Sequence, residues 1–503
     1  MGLTAPDPES ATGARGSFRV QDGPERVIIT VGEDTPMSTA HRGGQSVIEQ
    51  LAAYATAESF DKLPAAAVRA ARLALLDTLG VTLAGSVEAT ATRARMLISH
   101  RRGAEEATVI GTPLRVCVED AAFVNGTAAH ALDYDDVNAS LSGHPSAPIL
   151  CSTLAIAERA GSSGSALVIA FVVGVEIEAK LGRALNPAHY EVGWHATATL
   201  GVFGAAAASA KLLGLSAERT AHALAIAASM ASGIKANFGT DCKPLHVGHA
   251  ARCGVEAALL AETGFTGNVR ALEHHDGFGS TFGGGNAPVW DLATAGLGAP
   301  HEVVEPGIGV KRFPACASTH QALDATLALM EEHAIVPGAV ETVECGVFYL
   351  APHQLIYDRA ETGLQGKFSM PYCVSMALLD GTVGLAQFTD ERVRRADVQA
   401  FMPRVRMFVH PEQTTRECLP TRFSEVTITL KDGRRLVRRV SQAKGQPKHP
   451  LTVDELETKF RDCAARTHTP ERAKSVLAAV QALETLPDVS ALARLLTSYH
   501  HAR

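Results

Sequence analysis

The chain has 503 residues, of which 46% are hydrophobic and 20% are charged, and its formal net charge is −7. This length exceeds one ordinary hydrophobic core and predicts two domains, while the negative charge argues against nucleic acid or an anionic membrane as a partner. Aromatic residues make up only 5% of the chain, against 44 glycines, and this balance favours closely packed helices over a β-sandwich.

Residues 1–43 are rich in glycine, proline and charge without a sustained period, so we expect a mobile N-terminal extension. Residues 44–301 follow a helical pattern almost throughout and predict an all-helical domain. Its first long helix is framed by Pro64 and Gly85, which match the residue preferences of helix ends. The helices are predicted at 65–84, 118–131, 146–160, 163–184, 196–213, 216–231 and 245–263.

The pattern changes near residue 302, where strand signals begin. Residues 340–349 indicate a strand, and residues 425–430 alternate before Asp432-Gly433, which together predict a hairpin. Residues 302–448 are therefore expected to form a smaller α+β domain. Its helices are predicted near 318–333, 367–379 and 390–402. Residues 449–503 are helical again, and we expect them to return to the first domain.

Nine cysteines occur and none has Cys-x-x-Cys spacing, which is typical of reduced thiols and not of a disulfide framework or a zinc cage. The N-terminus lacks the signature of a secretory signal. The most apolar stretch, residues 166–175, is far shorter than the ~20 residues that span a bilayer. We therefore expect a cytoplasmic protein with no membrane partner.

Three acids, Asp133, Asp135 and Asp136, follow a predicted helix, where carboxylates are electrostatically unfavourable. This cost suggests a functional reason, although a solvated loop with capping acids explains the pattern equally well. His144 precedes Pro145, which restricts the backbone of His144 and opens the next helix. The imidazole would then lie beside a helix start that favours an anion, but a His-Pro pair alone is usually a helix cap.

Lys243 stands before Pro244, and a lysine above a helix start is unfavourable unless an anion lies between them. The alternative is a surface lysine. His246 and His249 could be proposed as zinc ligands, but they lack the intervening glutamate of His-Glu-x-x-His and any obvious third ligand. No metal site is predicted.

His195 stands at the entry to an apolar helix, and Lys311 with Arg312 places two cations at the start of the second domain. Such cations could reach a cleft between the domains, although a generic interdomain salt bridge is the alternative. The chain has no phosphate-binding loop, no Gly-x-Ser-x-Gly elbow and no dinucleotide fingerprint, so hydrolase and dinucleotide functions have little support.

Four segments resemble, in order, motifs of the MmgE/PrpD family, which includes 2-methylcitrate dehydratases and cis-aconitate decarboxylases. The segments are Leu132-Asp133-Tyr134-Asp135-Asp136 with His144-Pro145-Ser146, the run from Lys243 to Ala251, Lys311-Arg312-Phe313-Pro314 with Ser318-Thr319-His320, and the run from Gly366 to Tyr372. The resemblance spans about residues 45–500. It implies a mostly α fold, with a large helical domain built from both ends of the chain and a smaller α+β lid, in a homodimer that needs no metal or other cofactor.

The resemblance also implies a set of site residues. The catalytic positions are expected at Asp133, His144, His195, Lys243 and Lys311. The substrate-binding positions are expected at Asp135, His246, Arg312, Tyr349 and Lys367. Val137 departs from the decarboxylase pattern, which has a threonine there, and the expected lid tyrosine has only Tyr349 and Tyr357 as candidates.

Decarboxylation, dehydration and epimerisation beside a carboxylate all form a carbanion or enediolate, which fixed cations can stabilise without a metal. We expect Lys243 and Lys311 to hold carboxylates, His144 to be the principal acid or base, and His195 to assist it. Asp133 is expected to orient a histidine or to transfer a proton. The sequence thus predicts a metal-independent lyase for a small polycarboxylate, similar to cis-aconitate decarboxylases. The alternatives are a 2-methylcitrate dehydratase-type hydro-lyase, an epimerase of an amino-polycarboxylate such as iminodisuccinate, and a dicarboxylate-binding protein without activity.

Overall fold

The computed structural model of the chain describes residues 44–101 and 103–498, so the predicted extension at 1–43 lies outside the described residues. The first part is helical, with only short strands. Its helices are α1 (Val47–Ala57), α2 (Ala65–Gly85), α3 (Ala89–Ile98), α4 (Val118–His130), α5 (Ser146–Ala160), α6 (Gly164–Leu185), α7 (Ala188–Glu191), α8 (Ala196–Thr199), α9 (Gly201–Leu212), α10 (Ala217–Met230), α11 (Cys242–Glu262), α12 (Phe278–Phe282) and α13 (Asp291–Thr294). The short strands are β1 (Ala107–Thr108), β2 (Arg115–Val116), β3 (Val137–Asn138) and β4 (Ile308–Gly309).

Helices α4 and α11 pack closely because glycines meet where they cross. A Cβ atom on Gly126 would lie 2.9 Å from the Cα atom of Gly248, and one on Gly248 would lie 2.2 Å from the carbonyl oxygen of Phe123. Any larger side chain at these positions would force the two helices apart. The close approach brings the C-terminal end of α4, at His130, against the first turn of α11, which holds Lys243.

The second part is built on a four-stranded mixed sheet. Its strands are β5 (Val340–Val347), β6 (Val405–Val409), β7 (Ser424–Leu430) and β8 (Arg435–Val440), in the order β6-β5-β7-β8. Strands β5 and β6 are parallel, and the other pairs are antiparallel. The helices are α14 (His320–His333), α15 (Gly363–Gly366), α16 (Met370–Asp380), α17 (Asp390–Arg394) and α18 (Ala396–Phe401). A separate hydrophobic core forms here from side chains between Phe313 and Leu430.

The C-terminal helices rejoin the first core. They are α19 (Val453–Ala464), α20 (Pro470–Gln481) and α21 (Ser490–Leu495). Helix α19 packs against α2, where the ring of Phe460 lies over Gly80. Leu456 and Val476 also belong to the hydrophobic core of the first part. The sequence limits of the domains, 44–301, 302–448 and 449–503, stay a prediction.

Two short strands join the acidic segment to the start of the second part. Val137 of β3 pairs with Gly309 of β4, and Asn138 pairs with Ile308, in an antiparallel register. Because Asp133 and Asp135 precede β3 while Lys311 follows β4, this register draws acids and lysine together across the ladder. The pairing therefore positions the candidate site described below.

The predicted fold class, mostly helical with a smaller α+β part, is confirmed, and most predicted elements are present. Three details differ. Helix α11 begins at Cys242, three residues before its predicted start, because Pro244 sits inside its first turn, where a missing N–H costs nothing. The segments predicted at 196–213 and 390–402 are each broken into two helices. Strand β6 was not predicted, since its partner β5 is distant along the chain.

A helix that crosses a bilayer must be long and largely apolar. Within residues 44–101 and 103–498, no single helix is long and apolar enough to cross a membrane. One pair of helices, Ala65–Gly85 and Ala89–Ile98, reaches that length and composition only when the two are counted together, and they are bent by 82° relative to each other.

Candidate active site

Asp133 lies at the centre of the candidate site and binds two lysines. Its Oδ1 atom accepts from Lys243 Nζ at 2.8 Å and lies 3.0 Å from Lys311 Nζ. Lys311 Nζ also donates to the Asp133 backbone carbonyl at 2.7 Å. Asp133 has a φ of +49°, a left-handed conformation that few non-glycine residues adopt. These contacts hold a strained backbone in place, which is common at functional sites.

The His144 ring is fixed from behind by the acidic segment. Its Nδ1 donates to the Asp136 backbone carbonyl at 2.8 Å, which leaves Nε2 unprotonated, 3.7 Å from Asp133 Oδ1. The Asp136 carboxylate meanwhile accepts from the backbone N–H of Ser146 at 3.2 Å and from the Ser146 hydroxyl. The α5 start, which we expected to attract a substrate anion, is thus capped by the protein itself.

His130 is a site residue that the sequence analysis did not identify. Its Nδ1 lies 2.8 and 2.9 Å from the two Asp135 carboxylate oxygens, and its Nε2 lies 2.6 Å from Lys243 Nζ. The signal was weak, because His130 ends an alanine-rich buried helix, where a histidine is usually a core residue. Asp135, predicted to bind substrate, is fully buried against His130.

His195 and His246 form a second histidine contact at the edge of this cluster. His195 precedes α8, and its Nδ1 lies 3.2 Å from His246 Nδ1 on α11. The His195 ring also lies 5.7 Å from that of His130, and Phe238 packs edge-to-face on it at 5.0 Å. These two residues, which were predicted separately, are thus joined to the cluster around Asp133.

The cluster holds Asp133 ionised and its histidines neutral. Burial alone would raise the pKa of Asp133, but the ammonium groups of Lys243 and Lys311 outweigh it and hold that pKa well below its usual range. Burial lowers the pKa of His144 well below its usual range, with Lys311 adding to the effect. Burial, reinforced by Lys243, lowers the pKa of His195 in the same way. Burial lowers the pKa of His246 to about 4.

Three predicted substrate-binding residues point elsewhere. Arg312 is exposed and donates to Asp324 at 2.7 Å. Tyr349 donates to Glu191 at 2.8 Å, away from the cluster. Lys367 is buried and donates to the carbonyls of Leu132 at 2.8 Å and Pro314 at 3.0 Å, so it supports the backbone behind Asp133.

Tyr190 and Cys316 were also not predicted as site residues. Burial raises the pKa of both groups, and the negative charge of Asp133 raises each further. The Tyr190 hydroxyl accepts from Gln354 at 3.1 Å. It therefore connects α7 of the helical part to the α+β part at the site.

His130, Asp133, Asp135 and His144 also carry donor atoms that a metal ion could use, all within 4.8 Å of one another. Lys243 and Lys311 already occupy Asp133 Oδ1, and Lys243 also occupies His130 Nε2. A divalent cation would have to displace two ammonium groups of the same sign. The donor set therefore suits an anion bound by lysines better than a metal.

A surface cavity of about 890 Å³ lies along α3, α4 and α11, and none of its lining residues belongs to this cluster. Its arginines are paired with acids. Arg101 donates to Asp120 at 2.6 Å, and Arg252 donates to Glu256 at 2.8 Å. The cluster around Asp133 combines buried lysines and carboxylates with histidines of strongly shifted pKa and is therefore the better candidate for catalysis.

Known proteins match the chain along most of its length. The MmgE/PrpD N-terminal domain matches residues 49–291, and the MmgE/PrpD C-terminal domain matches residues 313–485. The chain is 31% identical to a cis-aconitate decarboxylase of Mus musculus, over 90% of this chain and 93% of that protein. It is 32% identical to a cis-aconitate decarboxylase of Homo sapiens, over 84% and 88% of the two chains. A cis-aconitate decarboxylase of Aspergillus terreus (strain NIH 2624 / FGSC A1156) is 24% identical over 92% and 98%. The predicted resemblance is confirmed, and the chain belongs to the MmgE/PrpD family.

Proposed function

We propose that this chain is a lyase that removes carbon dioxide from cis-aconitate or a close polycarboxylate analogue. The lyase class is confirmed by the family and by relatives that are named decarboxylases. The choice of cis-aconitate rests on those relatives together with the chemistry of the cluster. Dehydration of 2-methylcitrate and epimerisation of iminodisuccinate are the competing reactions within the same site.

The observation that supports this proposal most directly is the meeting of Lys243 and Lys311 at Asp133, beside His144. An ammonium group has three N–H donors. Lys243 uses two of them on His130 and Asp133, and Lys311 uses two on the Asp133 carbonyl and carboxylate. Each lysine therefore keeps one N–H with which to bind a substrate carboxylate.

These donors fit the demands of the reaction. When the CH2–COO⁻ group of cis-aconitate loses CO2, its bonding electrons form the new C=C bond to the central carbon. The original double bond shifts its electrons to the CH–COO⁻ carbon, which becomes an enediolate-like carbanion. Fixed ammonium groups in a buried site stabilise that charge strongly, since water does not screen them. One proton at this carbon then completes the unsaturated dicarboxylate product.

His144 is proposed to deliver that proton. Burial keeps the ring neutral in the free protein, but a polycarboxylate beside Nε2 favours the charged form and raises the affinity of the ring for a proton. The Asp136 carbonyl and the Asp135 carboxylate, 2.8 and 3.5 Å from Nδ1, hold the ring orientation while Nε2 is protonated and deprotonated. His195 and His246 form the adjacent wall.

The remaining predictions belong to the same proposal, namely a metal- and cofactor-independent reaction in a cytoplasmic homodimer. Dialysis against a chelator is expected to leave turnover unchanged, and loss of turnover that a divalent ion restores would contradict metal independence. Mass photometry is expected to give twice the mass of one chain.

The test is to incubate the purified protein with cis-aconitate, 2-methylcitrate and iminodisuccinate separately. We expect release of CO2 from cis-aconitate, with a methylene-bearing dicarboxylate as product, identified by proton NMR. Alkene absorbance from 2-methylcitrate alone would assign a hydro-lyase, and loss of optical rotation from iminodisuccinate alone would assign an epimerase. Binding of all three acids without any change in them would assign a binding protein.

The matched variant is Lys243→Met, which removes one ammonium group and keeps an unbranched side chain of nearly the same length. It is expected to abolish CO2 release. If wild type and Lys243→Met release CO2 equally, the activity does not arise from this site, and the proposal is wrong.

A further inference from the structure

His130 has no role in the chemistry proposed above, yet each of its ring nitrogens contacts a charged group. The residue ends α4 and is 1% exposed, so a substrate does not reach it. Both ring nitrogens are occupied, by the Asp135 carboxylate on one side and by the Lys243 ammonium on the other. A buried histidine with two charged partners is costly and calls for an explanation beyond packing.

The protonation state of this chain of contacts follows from its partners. Burial would raise the pKa of Asp135, but His130, His144 and the Lys311 ammonium group outweigh it and hold that pKa below its usual range, so this carboxylate only accepts hydrogen bonds. The proton of the His130 ring must therefore sit on Nδ1. Burial lowers the pKa of His130, so Nε2 stays unprotonated. Since an ammonium group only donates, Nε2 is the acceptor for Lys243.

We propose that His130 is a positioning residue that directs the Lys243 ammonium group toward the substrate. A lysine side chain has a flexible four-carbon stem, which one hydrogen bond to Asp133 leaves free to rotate. The second bond, to His130 Nε2, fixes two of the three N–H directions and so determines the third. This inference rests on the proposed role of Lys243 as a carboxylate anchor.

Other groups around His130 agree with this assignment. The charged and titratable side chains that face its ring are Asp133, Asp135, His144, His195 and Lys243. The His144 ring packs edge-on at 4.6 Å and the His195 ring lies at 5.7 Å, and both rings are neutral. Among these described neighbours, the Asp135 carboxylate is bound to His130 Nδ1 and the Asp133 carboxylate to Lys243, so His130 Nε2 is the second acceptor of Lys243.

Two substitutions test the two ring nitrogens of His130 separately. The short amide of His130→Asn reaches the place of Nδ1 and can still donate to Asp135, but it leaves Lys243 without its acceptor. The longer amide of His130→Gln reaches the place of Nε2 and can accept from Lys243, but it leaves Asp135 without its donor. The first variant is therefore expected to keep stability and lose activity, and the second to do the reverse.

The measurement is kcat and KM for cis-aconitate, with the thermal midpoint of each variant. His130→Asn is expected to lower kcat/KM by roughly 10- to 100-fold, the effect of one lost hydrogen bond to a charged group. His130→Gln is expected to keep at least ten times more activity than His130→Asn although its thermal midpoint is lower. If activity falls in proportion to the loss of thermal stability in both variants, His130 is merely structural and the inference is wrong.

A double-mutant cycle separates the loss of the hydrogen bond between His130 and Lys243 from a general loss of protein stability. In Lys243→Met the ammonium group is already absent. Adding His130→Asn is therefore expected to change the remaining affinity for a polycarboxylate by less than about twofold. A full additional loss in the double variant would overturn the inference.

Binding of propane-1,2,3-tricarboxylate, a saturated and unreactive analogue, separates this inference from the proposed reaction. If wild type binds the analogue more tightly than His130→Asn, but releases no CO2 from cis-aconitate, the positioning role stands and the decarboxylase proposal fails. If CO2 is released and His130→Asn equals wild type in kcat/KM and in affinity, the decarboxylase proposal stands and the positioning role fails.

Discussion

Lys311 donates to the backbone carbonyl of Asp133 at 2.7 Å, although 178 positions separate the two residues in the chain. The contact joins the helical part to the start of the α+β part at the point where the Asp133 backbone is left-handed. Binding and folding are therefore coupled here, because the lysine that is proposed to hold substrate also holds the loop that carries Asp133.

Lys311→Met tests this coupling. Lys311 is fully buried, and we expect the free energy of unfolding in urea to fall by about 3 kcal/mol, toward the low end for a broken buried ion pair, because Lys243 still pairs with Asp133. Adding Asp133→Asn takes away the carboxylate that Lys243 binds and is expected to restore neither stability nor activity. The exposed Lys474→Met is the matched control and should leave both unchanged. A Lys311→Met protein as stable as wild type would show that the contact contributes nothing to folding.

His144→Ala is expected to lower kcat by about 10²- to 10⁴-fold, the usual contribution of a general acid or base. The far-ultraviolet circular dichroism spectrum should stay unchanged, since the alanine leaves the Asp136 cap of α5 in place. His275→Ala, at a histidine whose side chain is 76% exposed, serves as the control and should keep full activity. Activity of His144→Ala within threefold of wild type would remove His144 from the mechanism.

Local signals allowed most of the fold to be predicted. The hairpin of β7 and β8 was predicted because Asp432-Gly433 sits between two alternating runs, and it forms with Ser424 opposite Val440. Strand β6 was missed because Phe408 breaks the alternation of Val405, Arg406 and Met407 and because its partner lies far away in the chain. Such parallel pairing leaves no mark in a short window of sequence.

The candidate site shows the same division between local and distant signals. Asp133 and His144 could be predicted because they form an unusual local pattern, and the structure brings them together with Lys243 and Lys311. His130 could not be predicted, because its role depends on Lys243, 113 positions later. Arg312 was expected in the cleft from its neighbour Lys311. Lys311 is fully buried, whereas Arg312 is exposed and contacts Asp324 instead.

Asp136→Asn tests whether the Asp136 carboxyl group at the start of α5 is protonated in the folded protein. Burial raises the pKa of Asp136 to about 8, with Asp77 and Asp135 adding to the effect. Because the folded pKa exceeds the unfolded value of about 3.9, this group contributes stability that is full below pH ~4 and is lost as the pH rises toward 8. Relative to wild type, Asp136→Asn is expected to gain roughly 3 kcal/mol between pH 5 and 8.

The measurement for Asp136→Asn is the free energy of unfolding in urea at pH 5, 6.5 and 8. Asp61→Asn, at an exposed position, is the control and should follow wild type at every pH. If the difference between Asp136→Asn and wild type is constant across this range, Asp136 is ionised in the folded protein and the assignment is wrong.

Tyr190 and Tyr349 provide the last test, since both phenols connect the helical part to the α+β part but only Tyr190 is buried. Burial raises the pKa of Tyr190, so its hydroxyl keeps a proton, and it accepts a hydrogen bond from Gln354 at 3.1 Å. We expect that proton to be donated to a substrate carboxylate. Tyr190→Phe should then lower kcat/KM by about 10-fold or more, mainly through KM. Tyr349→Phe, which loses only a contact with Glu191, should stay within about threefold because that contact lies at a partly exposed surface. A larger effect from Tyr349→Phe than from Tyr190→Phe would instead assign the substrate contact to Tyr349, as the sequence alone predicted.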